Sequence, residues 1–221
     1  AKRYTEELGV EIFLGSAEFT GRNTVKVGES ELSFTRACIA TGARAVELPI
    51  EGLSEVGYLT NETVFELTEQ PKRLAIIGSG PIGCELAQAF QNLGTQVTVV
   101  EMGLQVLGRE DRDAANIVED QMRKDGVEFR LNASAQSVSR GADGIVLRVK
   151  VSGKSEEVHV DAILLGVGRQ PNVEGLCLEA AGVDYDGRKG VTVDDFLRTS
   201  NPAVYAAGDV CMAWKFTHAA D

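Results

Sequence analysis

The sequence predicts an α/β protein: a central parallel sheet built from βαβ units, an antiparallel meander, and two flanks that share one discontinuous domain. Three observations predict it. An apolar run, "RLAII" (73–77), meets a glycine-rich turn and then a helical pattern. A second apolar run, "QVTVV" (96–100), follows that helix, which is the strand–helix–strand rhythm of a parallel sheet. Three short strand-like segments then come between strong turn signals, before another buried-strand run, "AILLGVG" (162–168).

The elements are justified in chain order. Val10, Ile12 and Leu14 alternate and read as strand. "TVKV" (24–27) and "ELSF" (31–34) flank the turn residues Gly28 to Ser30 and read as a hairpin. "ACIA" (37–40) is a short apolar run ending at Thr41-Gly42, and "ETVFEL" (62–67) is a brief helix before Pro71. After "RLAII", Pro81 suits a helix start because its missing N–H costs little there. Ile82, Leu86, Ala89, Phe90 and Leu93 fall on one helical face, and Gly94 stops the helix. A second helix is expected over Asp111–Asp125 with Ile117, Val118 and Met122 inward, and "VEFRL" (127–131) is the third strand. "AQSVSR", "GIVLRVKV" and "EEVHV" form the meander, separated by "GADG" and "SGKS". Beyond 172 a short helix near 174–181, a strand at "VTV" (191–193) and a last strand, "AVYAAG" (203–208), are expected. The domain boundaries read as 1–68, 69–172 and 173–221; the two flanks are each too small to stand alone and are expected to meet in space.

Composition narrows the function. A hydrophobic fraction of 43% suffices for a sizeable core, and a net charge of −11 repels a polyanion, so nucleic acid is not the expected partner. No apolar run is long enough to cross a bilayer as a helix, and "AKRYTEELGV" has no signal-peptide core. Cys38, Cys84, Cys177 and Cys211 form no close pair, which suits a reducing cytoplasm and predicts neither a disulfide framework nor a metal site. The chain starts at Ala1 and stops at "THAAD" without a helix-ending signal, and is expected to be a piece of a longer protein.

The chemistry concentrates at one turn. Gly78, Gly80 and Gly83 make G-x-G-x-x-G directly after a strand and directly before a helix. Gly78 allows the tight turn, Gly80 lets a pyrophosphate approach the backbone, and Gly83 lets the helix pack close to the strand. The phosphates then face the helix N-terminus, where free N–H groups and the dipole favour negative charge. Glu101 closes the second strand, where an acid accepts hydrogen bonds from a ribose diol and repels a 2′-phosphate, so NAD is expected over NADP. The competing reading is a strand–turn–helix driven by packing, with an exposed Glu. Glu85, two residues past Gly83, is either a carboxylate favoured by the helix dipole or a charged group facing a redox centre. Asp209, read from the sequence alone, is compatible with a helix N-cap.

These stretches resemble the flavoprotein disulfide reductases, the class I pyridine nucleotide–disulfide oxidoreductases. The resemblance runs in order through "IATGAR" (39–44) and "PIEGL" (49–53), "YLTNETVFEL" with "IIGSGPIGCELAQAF", "GVGRQPN" (166–172) and "TSNPAVYAAGDV" (199–210). It covers nearly the whole chain and is similar in wording to mercuric reductases and dihydrolipoamide dehydrogenases. It implies a Rossmann-like NAD(H)-binding domain over 69–172, flanked by parts of a discontinuous FAD-binding domain at 1–68 and 173–221. It implies that Gly78, Gly80 and Gly83 hold the pyrophosphate of NAD and Glu101 its adenosine ribose. Glu85 would pair with a lysine beside the flavin, Gly168 would lie at the nicotinamide end, Thr41-Gly42 against FAD, and Asp209 on the ribityl chain. It implies hydride transfer from NAD(P)H to FAD and on to a disulfide or metal ion, in a homodimer.

The sequence also departs from that family. It has no first FAD fingerprint, no C-x-x-x-x-C and no C-terminal dimer domain with its His–Glu pair. Neither His159 nor His218 matches that histidine: His159 is expected on a meander strand, and His218 beside the flavin site. The chain alone is therefore expected to bind NAD(H) weakly, hold little FAD and not turn over. The alternative is a free-standing NAD sensor without catalysis, for which the "YAAGDV" Asp has no use. The final electron acceptor is not encoded in these residues.

Overall fold

The computed structural model describes residues 3–213 and 215. In chain order the strands and helices are β1 (Ala17–Gly21), β2 (Thr24–Val27), β3 (Ser30–Ser33), β4 (Ala37–Ile39), β5 (Ala43–Ala45), α1 (Leu53–Val56), β6 (Arg73–Ile77), α2 (Pro81–Asn92), β7 (Gln96–Val100), α3 (Arg112–Lys124), β8 (Glu128–Arg130), β9 (Ala133–Gly141), β10 (Gly144–Val151), β11 (Lys154–Val160), β12 (Ala162–Leu165), β13 (Arg169–Pro171), α4 (Leu178–Ala181), β14 (Tyr185–Asp186), β15 (Gly190–Val191) and β16 (Val204–Ala206). They divide into two compact units: Ala45–Gly168, and a second built from both ends of the chain, up to Arg44 and from Arg169 onward. The architecture is α/β, with a parallel sheet and antiparallel strands.

In the 45–168 unit a four-stranded sheet runs in the order β12-β6-β7-β8, every pair parallel. β6, α2 and β7 make one βαβ crossover, and β7, α3 and β8 the next. The chain then leaves for the β11-β10-β9 antiparallel meander and returns as β12 beside β6. Because both sheet faces are covered, β6 is a continuous apolar strand rather than an alternating one: Leu74, Ala75, Ile76 and Ile77 are all buried. Leu74 and Ile76 pack under the helices with Val97, Val99, Met122 and Leu164, while Ala75 and Ile77 face the meander side with Leu147, Val149 and Ile163. Arg73 pins the sheet's lower end: its backbone N–H and guanidinium donate to the Asp161 carboxylate at 2.8 and 2.6 Å.

In the other unit β1-β2-β3 is an antiparallel sheet that contains the expected hairpin, and β4 pairs in parallel with β16. Their core gathers Phe19, Ile39, Val173, Leu178, Val204 and Val210.

Three expectations are corrected. Residues 9–16 form no strand, and Val10, Ile12 and Leu14 are exposed; alternation without a pairing partner makes no ladder. On α2 the buried residues are Gly83, Cys84 and Ala87, while Ala89 is exposed and Leu93 is 69% exposed. The helix lies so close to the sheet that small residues make the contact and larger ones flank it. On α3 Ile117 is 72% exposed, and Ala115 with Met122 fills the buried stripe. His218 lies outside the described residues. No described helix is long and apolar enough to cross a membrane.

Candidate functional site

The carboxyl ends of β6, β7 and β12 assemble one locus. β6 ends in Gly78-Ser79-Gly80, which opens α2 with Gly80 as N-cap and Pro81 at its first turn. Gly78 takes φ +99°, and a Cβ there would meet Gly166 O at 2.6 Å. A Cβ on Gly83 would drive into Gly78 O, and one on Gly166 would lie 3.2 Å from Gly83 Cα. Gly78, Gly83 and Gly166 thus form a mutual backbone contact that no side chain can enter. Gly80 differs: its φ is −69°, and a Cβ would find its nearest neighbour, Gly166 O, 3.9 Å away. The space above Gly80 is therefore unfilled by the described residues. The amides of Ile82 and Gly83, in the first helical turn, have no intrahelical acceptor.

Glu101 stands just past β7 and turns back onto this loop. Its Oε2 accepts from both the backbone N–H and the hydroxyl of Ser79, each at 2.8 Å, and its Oε1 accepts from Gly103 N–H at 2.7 Å. A carboxylate offers about four acceptor positions, so one, on Oε1, remains open among the described residues. Ser79 itself is buried; its carbonyl accepts from Leu107 N–H at 2.8 Å and from the Cys84 thiol at 3.3 Å. Burial pushes the Cys84 thiol up to about 11, with help from the negative charges of Glu101, Glu85 and Glu119. Glu85 is exposed on α2, just beyond its first turn, and Gly168, also exposed, accepts from Val46 N–H at 3.1 Å.

The second group lies in the other unit, at the carboxyl ends of the parallel strands β4 and β16. Thr41 and Gly42 are bracketed by Asn172. The Thr41 hydroxyl donates to Asn172 O at 2.7 Å, the Asn172 amide to Thr41 O at 2.9 Å, and Asn172 N–H to Gly42 O at 2.9 Å. Asp209 sits in a 3₁₀ turn, Gly208–Val210, and not at a helix N-cap. Its Oδ2 is held by Arg169 Nη1 at 2.6 Å, while Arg169 Nη2 donates to Ala43 O at 2.7 Å. Arg169 therefore ties the Thr41–Ala43 segment to Asp209. Arg169 Nε is buried without a partner among the described residues. Lys215 Nζ donates to Asp209 O at 2.7 Å, and burial lowers that amine's affinity for its proton.

The sequence profile of pyridine nucleotide-disulphide oxidoreductases matches residues 1–221. The chain belongs to that family. It is 34% identical over 215 residues to a mercuric reductase of Bacillus cereus, covering 97% of this chain and 34% of the relative. It is 37% identical over 215 residues to a dihydrolipoyl dehydrogenase of Geobacillus stearothermophilus, covering 96% of this chain and 46% of that one. The solved HOCl-induced flavoprotein disulfide reductase RclA from Escherichia coli superposes with a TM-score of 0.85 at 33% identity, over 93% of this chain and 47% of that one. The chain thus spans a third to a half of the length of these relatives.

Within the pyridine nucleotide–disulphide oxidoreductase framework, the structure groups Gly78, Gly80, Gly83, Glu85 and Glu101 at one sheet end and Thr41, Gly42 and Asp209 at another. The sequence reading missed Gly166, Arg169 and Asn172. All three stand in the "GVGRQPN" stretch, of which only Gly168 was singled out. The arginine beside that glycine was the signal, since a half-buried cation requires a carboxylate partner.

Proposed function

We propose that the 69–172 span is the NAD(H)-binding part of an FAD-dependent pyridine nucleotide–disulphide oxidoreductase, with the flanks contributing part of the FAD site. The observation that carries this reading is the unfilled space above Gly80, framed by free helix amides and by Glu101. The residues present fit the dinucleotide. Gly80 admits the pyrophosphate against the backbone, the α2 N-terminus offers donors to it, and the open acceptor of Glu101 Oε1 takes a ribose hydroxyl. The negative charge of Glu101 opposes a 2′-phosphate, so NADH is preferred. Gly168 lies toward the nicotinamide end, and Glu85 pairs with a lysine beside the flavin.

The fit to FAD is partial. Among the described residues Asp209 Oδ1 has no hydrogen-bond partner and is left for a ribityl hydroxyl while Arg169 fixes the other oxygen, and Arg169 also holds Ala43 O beside Thr41-Gly42. Held by Gly80, the α2 amides and Glu101, a nicotinamide dinucleotide would supply hydride chemistry, and a flavin beside Asp209 and Thr41-Gly42 would supply transfer of those electrons toward a disulfide or a metal ion; the names of the relatives support both acceptors. The whole protein acts as a cytoplasmic homodimer. These 221 residues contain no C-x-x-x-x-C, so the chain alone binds without turnover.

Calorimetric titration of the chain with NADH and with NADPH tests the reading. Tighter binding of NADH supports it, and tighter binding of NADPH refutes the selector role of Glu101. Binding of neither refutes the dinucleotide site in this chain. Near-stoichiometric flavin in the purified chain would contradict the partial FAD site.

A further inference from the structure

On the proposed function Glu101 reads the adenosine ribose, and its carboxylate does not hang free over the site. Two donors, Ser79 N–H and Ser79 Oγ, converge on Oε2 at 2.8 Å each, and Gly103 N–H meets Oε1 at 2.7 Å. Ser79 is 1% exposed and is fixed in turn through its carbonyl by Leu107 N–H and the Cys84 thiol. Oε2 is thereby saturated, and the plane of the carboxylate is set before any ligand arrives. Oε1 keeps a single open position. On its other side Gly103 stands close: a Cβ there would lie 3.2 Å from Oε1.

We propose that Ser79 and Gly103 form a preset clamp that aims Glu101, and that Ser79 is a positioning residue for nicotinamide-cofactor selectivity. This rests on the reading that the glycine turn binds a nicotinamide dinucleotide. A carboxylate held by the fold loses no freedom when it accepts the ribose hydroxyl, and it cannot swing away from a 2′-phosphate. Both effects widen the gap between the two cofactors. Among the described residues Ser79 contributes the only side-chain donor to Glu101, so it can be removed without disturbing the two backbone donors. Gly103 permits the opposite perturbation, because a methyl there must push Oε1 by a few tenths of an ångström.

The test is titration of the full chain and its S79A, G103A, E101A and S79A/E101A variants with NADH and NADPH, with thermal melting of each. Expected for S79A is an NADH affinity about three- to tenfold weaker, the size of one lost charge-assisted hydrogen bond, with NADPH affinity unchanged or higher. G103A narrows the NADH:NADPH ratio in the same direction. In the E101A background S79A has no further effect, because Ser79 acts through Glu101. If the parent prefers NADH while S79A and G103A keep its ratio, the clamp is refuted and the dinucleotide reading stands. If S79A weakens NADH equally without Glu101, Ser79 is merely structural and the proposal falls. A parent that binds neither cofactor removes the reading and the proposal together. Should S79A melt below the assay temperature, the G103A ratio decides.

Discussion

Alanine at Gly83 and alanine at Gly80 are the same chemical change three residues apart, and they are expected to act on different properties. At Gly83 the new methyl overlaps Gly78 O by roughly 1 Å, against an ordinary contact near 3.5 Å. Gly78 cannot retreat, because it is wedged against Gly166, so α2 must lift from β6. Such overpacking costs about 1–3 kcal/mol, occasionally more, and the better helix propensity of Ala returns about 1 kcal/mol at most. A net loss of about 2 kcal/mol lowers the melting temperature by roughly 4–8 °C for a chain of this size. At Gly80 the φ of −69° is open to any residue and the methyl meets nothing nearer than 3.9 Å. Stability there should stay the same or rise by about 0.4–1 kcal/mol through the unfolded chain. The methyl instead occupies the space assigned to the pyrophosphate, so NADH affinity should fall at least tenfold. Calorimetric melting and NADH titration of both variants separate the two. A G80A chain that melts like G83A, or that keeps full NADH affinity, would refute the assignment of packing to Gly83 and ligand to Gly80.

Cys84 is expected to resist alkylation at pH 8 because burial holds its thiol up at about 11, whereas the exposed Cys38 and Cys177 react first; mass spectrometry of timed iodoacetamide labelling checks the order. The Asp161 carboxyl is held below its usual range by hydrogen bonds from the Arg73 side chain and then its backbone. A carboxyl with a depressed folded pKa gives stability that is complete above its unfolded value, about 4, and is lost as pH falls through the folded one. Asp161→Asn should therefore destabilise at pH 7, and its difference from the parent should shrink below about pH 4 in urea melts. Arg169→Met leaves the Asp209 carboxylate, 13% exposed, without its cation and should cost about 2 kcal/mol; adding Asp209→Asn should restore most of it in a double-mutant cycle.

Legibility in the sequence followed the range of the interactions involved. β6, β7 and the three meander strands are set by runs and turns within a few residues, and they lie where the pattern puts them. The buried face of α2 was misread because hydrophobicity marks Leu93 and Ala89, while the contact distance to the sheet is set by Gly83, Cys84 and Ala87. The 9–14 stretch alternates as a strand should, but alternation specifies a face and supplies no neighbour. Arg169 was passed over because its partners stand 40 and 126 residues away, at Asp209 and Ala43. Gly166 closes an apolar run without any local mark of its purpose, which is a contact with Gly78 and Gly83 nearly ninety residues earlier.

That contact changes how the glycine fingerprint should be weighed. Two readings were open from the sequence, a turn shaped by packing and a turn shaped by a ligand, and packing accounts for Gly78 and Gly83 but not for Gly80. Gly78 and Gly83 are required whether or not a nucleotide ever binds, since any side chain at either collides with backbone. A relic of the fold without function would keep both. Gly80 has no such internal reason: an alanine fits it sterically and conformationally. Neither does an acid at 101 serve the packing, where an apolar residue would satisfy the sheet without two Ser79 donors and a Gly103 amide turned toward it. Gly80 and Glu101 are therefore the positions that packing leaves unexplained, and relatives that vary at these two while keeping Gly78, Gly83 and Gly166 are expected to retain the fold but bind NADH weakly, which titration of such relatives checks.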